Sequence, residues 1–122
     1  MRGIPPSLRY RKRYIVFGVI CETRIREQEL IKELWRNLVS LFGEDGSAGS
    51  QMWLEKFVNG KGIVRCAHEF VEKIKIAILT LNKIEGKNVL PVIYGVYGTL
   101  KKAEEKLLKE GEINATTSNG IR

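Results

Sequence analysis

The sequence predicts a single α+β domain, and three observations support that prediction. Short runs of β-branched and aromatic residues are separated by longer segments in which apolar residues recur every three or four positions, the patterns of strands and amphipathic helices. The chain has 122 residues, enough for one domain with its own core. Hydrophobic residues make up 43% and charged residues 29%, which excludes a disordered or fibrous chain.

The first two elements are a buried strand and an amphipathic helix. Residues 14–21 are almost entirely apolar without polar alternation, which is typical of a central strand covered on both faces. Residues 26–42 carry apolar side chains at helical spacing, from Leu30 to Phe42, and predict a helix. Residues 43–50, rich in Gly and Ser, are expected to end this helix and form a mobile linker.

A hairpin and a second helix follow. Residues 52–58 and 62–66 predict two strands joined by a turn at Asn59-Gly60, a pair that favours a tight hairpin. Residues 68–83 repeat apolar positions at helical spacing and predict a helix that Gly86 and Asn88 terminate.

The C-terminal third predicts one more strand and one more helix. Residues 89–97 form a fourth strand, with Pro91 near its start, where a missing N–H is tolerated. Thr99 is expected to cap a third helix that runs to about Lys109. The apolar side of that helix comprises Leu100, Ala103, Leu107 and Leu108. The polar residues 111–122 are expected to form a disordered tail.

The order of elements is that of a ferredoxin-like or RRM-like split β-α-β-β-α-β sandwich with an extra C-terminal helix. In this topology the first strand lies between the third and the fourth, and the first two helices cover one face. The fourth strand is apolar on both sides, because Val92, Tyr94 and Val96 alternate with Ile93 and Tyr97. We therefore expect the extra helix to cover part of the second sheet face.

The net charge of +7 is concentrated at the N-terminus. Residues 1–13 carry five basic residues and no acid, whereas the predicted domain, residues 14–110, is close to neutral. Such an arm indicates a polyanionic partner, although a solubilising tail is the alternative. In an extended arm Arg9, Arg11 and Arg13 would share one side with Lys12 opposite, and guanidinium groups bind phosphate well.

A second, weaker set of candidate RNA-binding residues lies in the domain, and ordinary surface charge is an equally good interpretation of it. This set comprises Lys61, Arg65, Lys101 and Lys102. Arg65 shares its strand face with Ile63, and we expect the third helix to cover that face in part.

The sequence does not predict base stacking on the sheet as in other RNA-binding sheets of this topology. Those sheets use aromatic residues of the first and third strands. Here the third strand has no aromatic residue, and Tyr14 and Phe17 are three positions apart and face opposite sides.

No set of residues predicts catalysis, a metal site or a bound cofactor. His68 is the single histidine, and Cys21 and Cys66 are the two cysteines, too few for a zinc site. A catalytic Cys66–His68 pair would lack an orienting third group. The two cysteines are expected to be reduced, because the topology puts them at opposite ends of an antiparallel strand pair.

The chain is predicted to be soluble and cytoplasmic. No segment approaches the roughly 18 apolar residues of a membrane helix. The basic start and the apolar run after it lack a small-residue cleavage site, which argues against a secretory signal.

Three segments together resemble a known family. PPSLRYRKRYIVF at residues 5–17, GIVR at residues 62–65 and GVYGTLKK at residues 95–102 are similar to archaeal ribonuclease P protein component 2. One departure is Gly18, since a charged residue often follows the Phe of the first strand in this family.

This resemblance implies a non-catalytic protein subunit of the ribonucleoprotein that removes the 5′ leader of precursor tRNA. The RNA component would carry the active site and its magnesium. The implied partners are ribonuclease P RNA and ribonuclease P protein component 3, as a pair or a heterotetramer, with precursor tRNA contacted indirectly.

Two other functions stay open from the residues alone. A free-standing RNA-binding or ribosomal protein of the same fold would share the basic arm. A small hydrolase of the acylphosphatase type would need a phosphate cradle after the first strand, where this chain has Arg24 and Arg26 but no Gly-rich loop.

Overall fold

A computed structural model of the chain describes residues 11–120, with side chains described up to residue 110. A short 3-10 turn, His68–Phe70, precedes the second helix. The elements, in chain order, are β1 (Lys12–Ile20), α1 (Glu27–Ser47), β2 (Trp53–Val58), β3 (Lys61–Ala67), α2 (Val71–Leu79), β4 (Lys83–Ile84), β5 (Lys87–Asn88), β6 (Leu90–Tyr97) and α3 (Leu100–Gly120).

The main sheet has the order β2-β3-β1-β6, and its strand pairs are all antiparallel. The strand β1 therefore lies between β3 and β6, as predicted. It pairs with β3 from Lys12 opposite Ala67 to Gly18 opposite Lys61. The β2–β3 turn has positive φ at both Asn59 and Gly60, which confirms the predicted tight hairpin. The α+β, ferredoxin-like fold class is confirmed.

The larger core lies between the first sheet face and the helices α1 and α2. Phe17 from β1 stacks on Phe57 from β2, with ring centroids 6.2 Å apart and planes 12° from parallel. Leucines of α1 and isoleucines of α2 fill the space above these rings. The fully buried side chains of the helical layer include Leu30, Leu34, Leu38, Ile74 and Ile78.

The smaller core lies on the second sheet face, under α3. Ala103 of α3 is fully buried against Val16 of β1 and Ile63 of β3. Three tyrosines and two leucines pack around this contact, namely Tyr14, Tyr94, Tyr97, Leu100 and Leu107. The C-terminal helix thus covers part of the second face, as predicted. The assignment of Leu108 to the apolar side is wrong, because that residue is 67% exposed.

A β-bulge in β6 changes which side chains face each core. Val16 pairs with Gly95, but the next residue, Phe17, pairs with Ile93, which leaves Tyr94 without a partner on β1. One extra residue reverses the alternation of the strand. Ile93 and Val96 consequently pack on the larger core, and Tyr94 packs on the smaller one with Tyr97. The predicted grouping of Val96 with Tyr94 is therefore wrong.

Gly18 makes room for the ring of Tyr94. A Cβ atom on Gly18 would lie 3.0 Å from the ring carbon Cε2 and from the hydroxyl oxygen of Tyr94, and 3.2 Å from Val92. The structure thus gives a packing reason for the glycine at a position where the family resemblance led us to expect a charge.

The first helix does not end at Phe42. Gly43 breaks the helical geometry with φ 77° and ψ 169°, and helical backbone resumes up to Ser47. The Ser47 hydroxyl donates a hydrogen bond of 2.7 Å to the Gly43 carbonyl, and this serine is fully buried. Five of the eight residues of the predicted linker therefore form a kinked continuation of α1, since glycine adopts this backbone geometry without strain.

The second helix is shorter than predicted and is followed by a small hairpin. α2 ends at Leu79, and β4 and β5 pair through a turn at Glu85 and Gly86, both with positive φ. Leu81 and Ile84 are buried in the larger core. Leu81 lies three residues after Ile78 and continues the helical period of α2, which explains why the predicted helix extends to Lys83.

The third helix begins as predicted and ends later. The Lys102 backbone N–H donates a hydrogen bond of 3.2 Å to the Thr99 hydroxyl, the expected cap. The helix runs to Gly120, beyond the predicted end near Lys109. Residues 1–10, 121 and 122 lie outside the described residues, and the division into arm, domain and tail stays a prediction.

Substitution of Gly62 by Ala should destabilise the fold. A Cβ at this position of β3 would overlap the carbonyl oxygen of Lys56 on β2, and neither backbone can move without breaking the strand pairing. We expect the free energy of unfolding to fall by about 1–3 kcal/mol. Urea titration followed by circular dichroism would show a lower midpoint with an unchanged slope. The control is Gly98→Ala, whose Cβ meets nothing closer than 4.0 Å and should shift stability by less than about 0.5 kcal/mol.

Cysteine labelling should distinguish the two thiols. Cys66 is fully buried, and burial raises the pKa of its thiol to about 11, so it stays protonated and shielded at pH 8. Cys21 is half-exposed. Iodoacetamide should therefore add one group to the native protein, on Cys21, and two groups in guanidinium, as measured by mass spectrometry of peptides. Rapid labelling of Cys66 in the native protein would contradict this burial.

Candidate nucleic-acid interface

The described part of the basic arm is tied to one end of the sheet. The Arg11 carbonyl accepts a hydrogen bond of 3.0 Å from the His68 backbone N–H, directly after β3. Lys12 and Arg13 are the first residues of β1, so the strand begins inside the segment predicted to be an arm. Arg11 is exposed, whereas Lys12 and Arg13 are half-buried. The last three arm residues are therefore held against the body, and Arg9 lies outside the described residues.

The start of α3 lies at the same end of the sheet. The Arg13 guanidinium donates a hydrogen bond of 2.9 Å to the Lys12 carbonyl. Its Nη1 also lies 4.0 Å from where a Cβ of Gly98 would be, at the junction of β6 and α3. Lys101 and Lys102 occupy the first turn of α3 and are exposed. The structure thus brings the end of the arm and the start of α3 together.

The basic residues at this end of the sheet have no acidic partners among the described side chains. Among the residues whose side chains are described, no carboxylate lies within 4.0 Å of the basic groups concerned, which are Arg11, Lys12, Arg13, Lys101 and Lys102. We call these five residues the basic end. Uncompensated cations on one side of a domain produce a positive potential that attracts polyanions.

Arg65 differs from the basic end because it has an acidic partner. Its Nη1 lies 3.0 Å from a carboxylate oxygen of Glu55, and the side chain is 31% exposed. A register shift in β2 between Leu54 and Lys56 leaves Glu55 without a partner on β3. Arg65 packs on the second sheet face, the face of Ile63, as predicted.

Lys61 lies at the other end of the sheet. It pairs with Gly18, near the C-terminal end of β1, whereas the arm enters at the N-terminal end. Lys61 lines an open depression of about 900 Å³ between the β2–β3 turn and the β1–α1 loop, together with Arg24 and Arg26. Arg26 is held at 3.1 Å by Glu29. The structure does not place Lys61 with the rest of the predicted set.

Acid–base pairs neutralise α3 beyond its first turn. Glu104 lies 3.5 Å from Lys56 of β2, and Glu110 lies 2.8 Å from Lys106. The hydrogen bond to Glu110 raises the pKa of Lys106. Burial, assisted by the negative charge of Glu110, raises the pKa of Tyr94. The positive charge of α3 is thus greatest in its first turn, beside the arm.

Sequence reasoning missed one candidate residue, Trp53. This side chain lies at the start of the edge strand β2 and is 58% exposed, opposite Arg65 in the β2–β3 pairing. RNA-binding sheets of this topology use aromatic residues of the first and third strands, so the pattern gave no reason to expect stacking on the edge strand. Both Trp53 and Arg65 are present in the sequence, but only the strand register shows that they are neighbours.

The described residues contain no group of side chains arranged to hold a metal ion and no helix that could span a membrane. Within residues 11–110 no three His, Cys, Asp or Glu side chains are grouped to hold a metal ion. The helices found in residues 11–120 include none that is long and apolar enough to cross a bilayer. Cys66 pairs with Arg13 at the start of β1, and Cys21 follows the end of β1, so the predicted separation of the two thiols is confirmed.

Curated proteins from three archaea are similar to this chain over most of their length. Ribonuclease P protein component 2 of Archaeoglobus fulgidus is 43% identical over 109 residues, which cover 89% of this chain and 99% of that protein. The proteins of the same name from Pyrococcus horikoshii and Methanosarcina mazei are 36% and 34% identical, over 88% and 90% of this chain and 92% and 95% of their own.

A solved structure shares the fold. A chain in the cryo-EM structure of yeast ribonuclease MRP superimposes with a TM-score of 0.63 over 88% of this chain and 95% of that chain, at 13% sequence identity. The sequence profile of the Rpp14/Pop5 family matches residues 13–108, from the start of β1 into α3. The match includes nearly the whole sheet, both cores and three of the five basic-end residues, and with relatives at 34–43% identity it shows that the chain belongs to the Rpp14/Pop5 family.

Proposed function

We propose that this chain is a non-catalytic protein subunit of ribonuclease P, which binds and stabilises the catalytic RNA while the 5′ leader is removed from precursor tRNA. The names of the relatives support the enzyme assignment. A structural neighbour that belongs to another RNA–protein ribonuclease, ribonuclease MRP, supports it as well.

The basic end is the observation that carries the RNA-binding role. Five cations from two chain segments converge at one end of the sheet without described acidic partners, and Arg9 would extend this set along the arm. Each cation that neutralises an RNA phosphate releases condensed counterions, which favours binding. Reduced repulsion between phosphates lets RNA helices approach each other, so the RNA would need less magnesium to fold.

The division of labour rests on the similarity to ribonuclease P protein component 2. The RNA component would hold the active site and its magnesium, and this chain would bind no cofactor of its own. Its residues neutralise phosphates and position the RNA, and precursor tRNA is contacted indirectly through that RNA. The place of action would be the cytoplasm.

A protein partner is the second part of the proposal. The helical layer carries four apolar side chains that are 44–50% exposed, Trp35, Leu41, Ile76 and Leu79. Apolar residues at this exposure on two adjacent helices favour a protein contact. We assign this surface to ribonuclease P protein component 3, in a pair or in a heterotetramer.

Removal of charge from the arm should raise the magnesium requirement of the enzyme. In ribonuclease P reconstituted from its RNA and protein subunits, the triple change Arg11→Gln, Lys12→Gln and Arg13→Gln should shift the magnesium titration of precursor tRNA cleavage to higher concentration. Log affinity for the RNA decreases with log salt concentration, and the magnitude of this slope should fall by roughly 2 if each residue contacts one phosphate.

A matched control removes the same charge elsewhere. Lys32, Lys83 and Lys109 are exposed on α1, β4 and the middle of α3, and their triple change to Gln also lowers the net charge by three. This control should leave the magnesium titration close to that of the wild type. Equal effects of the two triple variants would contradict a specific role for the basic end.

A single lysine in the helical layer should weaken the protein complex. Leu79→Lys puts a charge on the proposed contact surface, where Leu79 is 50% exposed, and should reduce the amount of complex with component 3 in size-exclusion chromatography with light scattering. The mass of the wild-type complex separates a one-to-one pair from a heterotetramer. Leu108→Lys on α3, where the leucine is 67% exposed, is the control and should bind normally. Absence of any complex with the wild-type chain would favour a free-standing RNA-binding protein.

A further inference from the structure

The helix α3 leaves one corner of the second sheet face open. α3 starts beside the end of β6, and its buried residue, Ala103, contacts β1 and β3. The ion pair between Glu104 and Lys56 marks the side of α3 that faces β2. Beyond it, at the start of β2, Trp53 is 58% exposed on the sheet surface.

The strand register places Trp53 in a row with Arg65 and on the same sheet face as Lys12. Trp53 lies opposite Arg65 on β3, and Arg65 lies opposite Tyr14 on β1, so the three side chains form one row across the same face. Lys12 is two residues before Tyr14 on β1 and therefore shares that face. The register shift in β2 comes after Leu54 and does not disturb this row.

The row borders a shallow depression, and none of the described residues that line it is acidic. Its volume is about 350 Å³, within the range of about 300–1,000 Å³ that small-ligand sites occupy. The residues that line it are Lys12, Gln51, Met52, Trp53 and Arg65. Glu55 pairs with Arg65 through Nη1 and offsets part of its charge, but Glu55 does not line the depression. The walls thus combine an aromatic face, two cationic side chains and a neutral amide.

This combination fits one class of ligand, an unpaired nucleotide. An indole ring stacks on the π-face of any base, and cations beside it interact with the attached phosphate. A paired base inside a duplex does not present its face, so the ligand must be single-stranded. The absence of carboxylates from the walls favours a polyanion over a basic peptide.

Resting on the proposed function, we propose that this corner of the sheet binds an unpaired RNA nucleotide, whose base stacks on Trp53 and whose phosphate lies against Lys12 and Arg65. Lys12 also belongs to the basic end, so the two surfaces are continuous. An RNA strand held by the basic end would extend directly onto the corner. The site lies on the sheet face that RRM-like domains use, but on the edge strand instead of the central ones.

Tryptophan fluorescence can test this directly, because the chain has two tryptophans, Trp35 and Trp53. In a Trp35→Phe protein Trp53 is the single emitter. A 12-nucleotide single-stranded RNA of mixed sequence should quench its emission, and a blunt-ended duplex of the same sequence should not. Trp53→Ala should weaken binding of the single strand roughly 5- to 150-fold, the loss expected for one stacked base. Trp53→Phe should keep most of the affinity, and duplex affinity should be unchanged.

Salt dependence separates stacking from charge. Trp53→Ala should leave the slope of log affinity against log salt unchanged, whereas Lys12→Gln should lower it by about 0.7, the value for one single-strand phosphate contact. Lys83→Gln, which removes one exposed charge far from the corner, serves as the control and should keep the wild-type affinity and slope. Thermal unfolding of Trp53→Ala should match that of Trp53→Phe, which excludes a folding defect.

Two outcomes would overturn the proposal. The first is that Trp53→Ala binds the single strand with wild-type affinity and that saturating RNA does not quench Trp53 in the Trp35→Phe protein. The second is weaker binding of component 3 by Trp53→Ala in size-exclusion chromatography together with unchanged RNA affinity, which would make the corner a protein interface. Either result leaves the proposed function intact if the arm variants still raise the magnesium requirement. Loss of the arm effect together with normal quenching would instead contradict the proposed function alone.

Discussion

The fold depends on one strand that must be buried on both sides. Every residue of β1 from Ile15 to Val19 is buried, and its four apolar side chains are at most 5% exposed. Neighbouring residues point to opposite faces, so Phe17 and Val16 each require a separate core. The two helices α1 and α2 provide the first core, and α3 provides the second. Without α3, the apolar side chains of the second face would be exposed to water.

Elements with a strong local pattern could be predicted from the sequence. The unbroken apolar run of β1, the Asn59-Gly60 turn and the Thr99 cap each have a local cause, and each is present in the structure. Features that depend on the backbone of a distant segment could not be predicted. The bulge at Tyr94 is set by the pairing of β6 with β1. The helical spacing of Leu81 extends the predicted helix as far as β4, the first strand of a hairpin.

The candidate site shows the same division between local and distant causes. The basic arm was evident from composition, because five cations without an acid need no structural information. The position of Lys101 and Lys102 beside Arg13 depends on where β6 ends, and the separation of Lys61 depends on strand direction. The ion pair of Arg65 with Glu55 depends on a bulge in β2. Charge could be counted from the sequence, but its grouping required the sheet.

The two cores differ greatly in size. Among the residues whose side chains are described, the larger core contains fifteen buried residues, and the smaller one, beneath α3, contains three. The described contacts thus hold the second sheet face less extensively than the first, so we expect the amide hydrogens of α3 to exchange with solvent before those of β1. The second sheet face can thus become accessible while the first core remains intact.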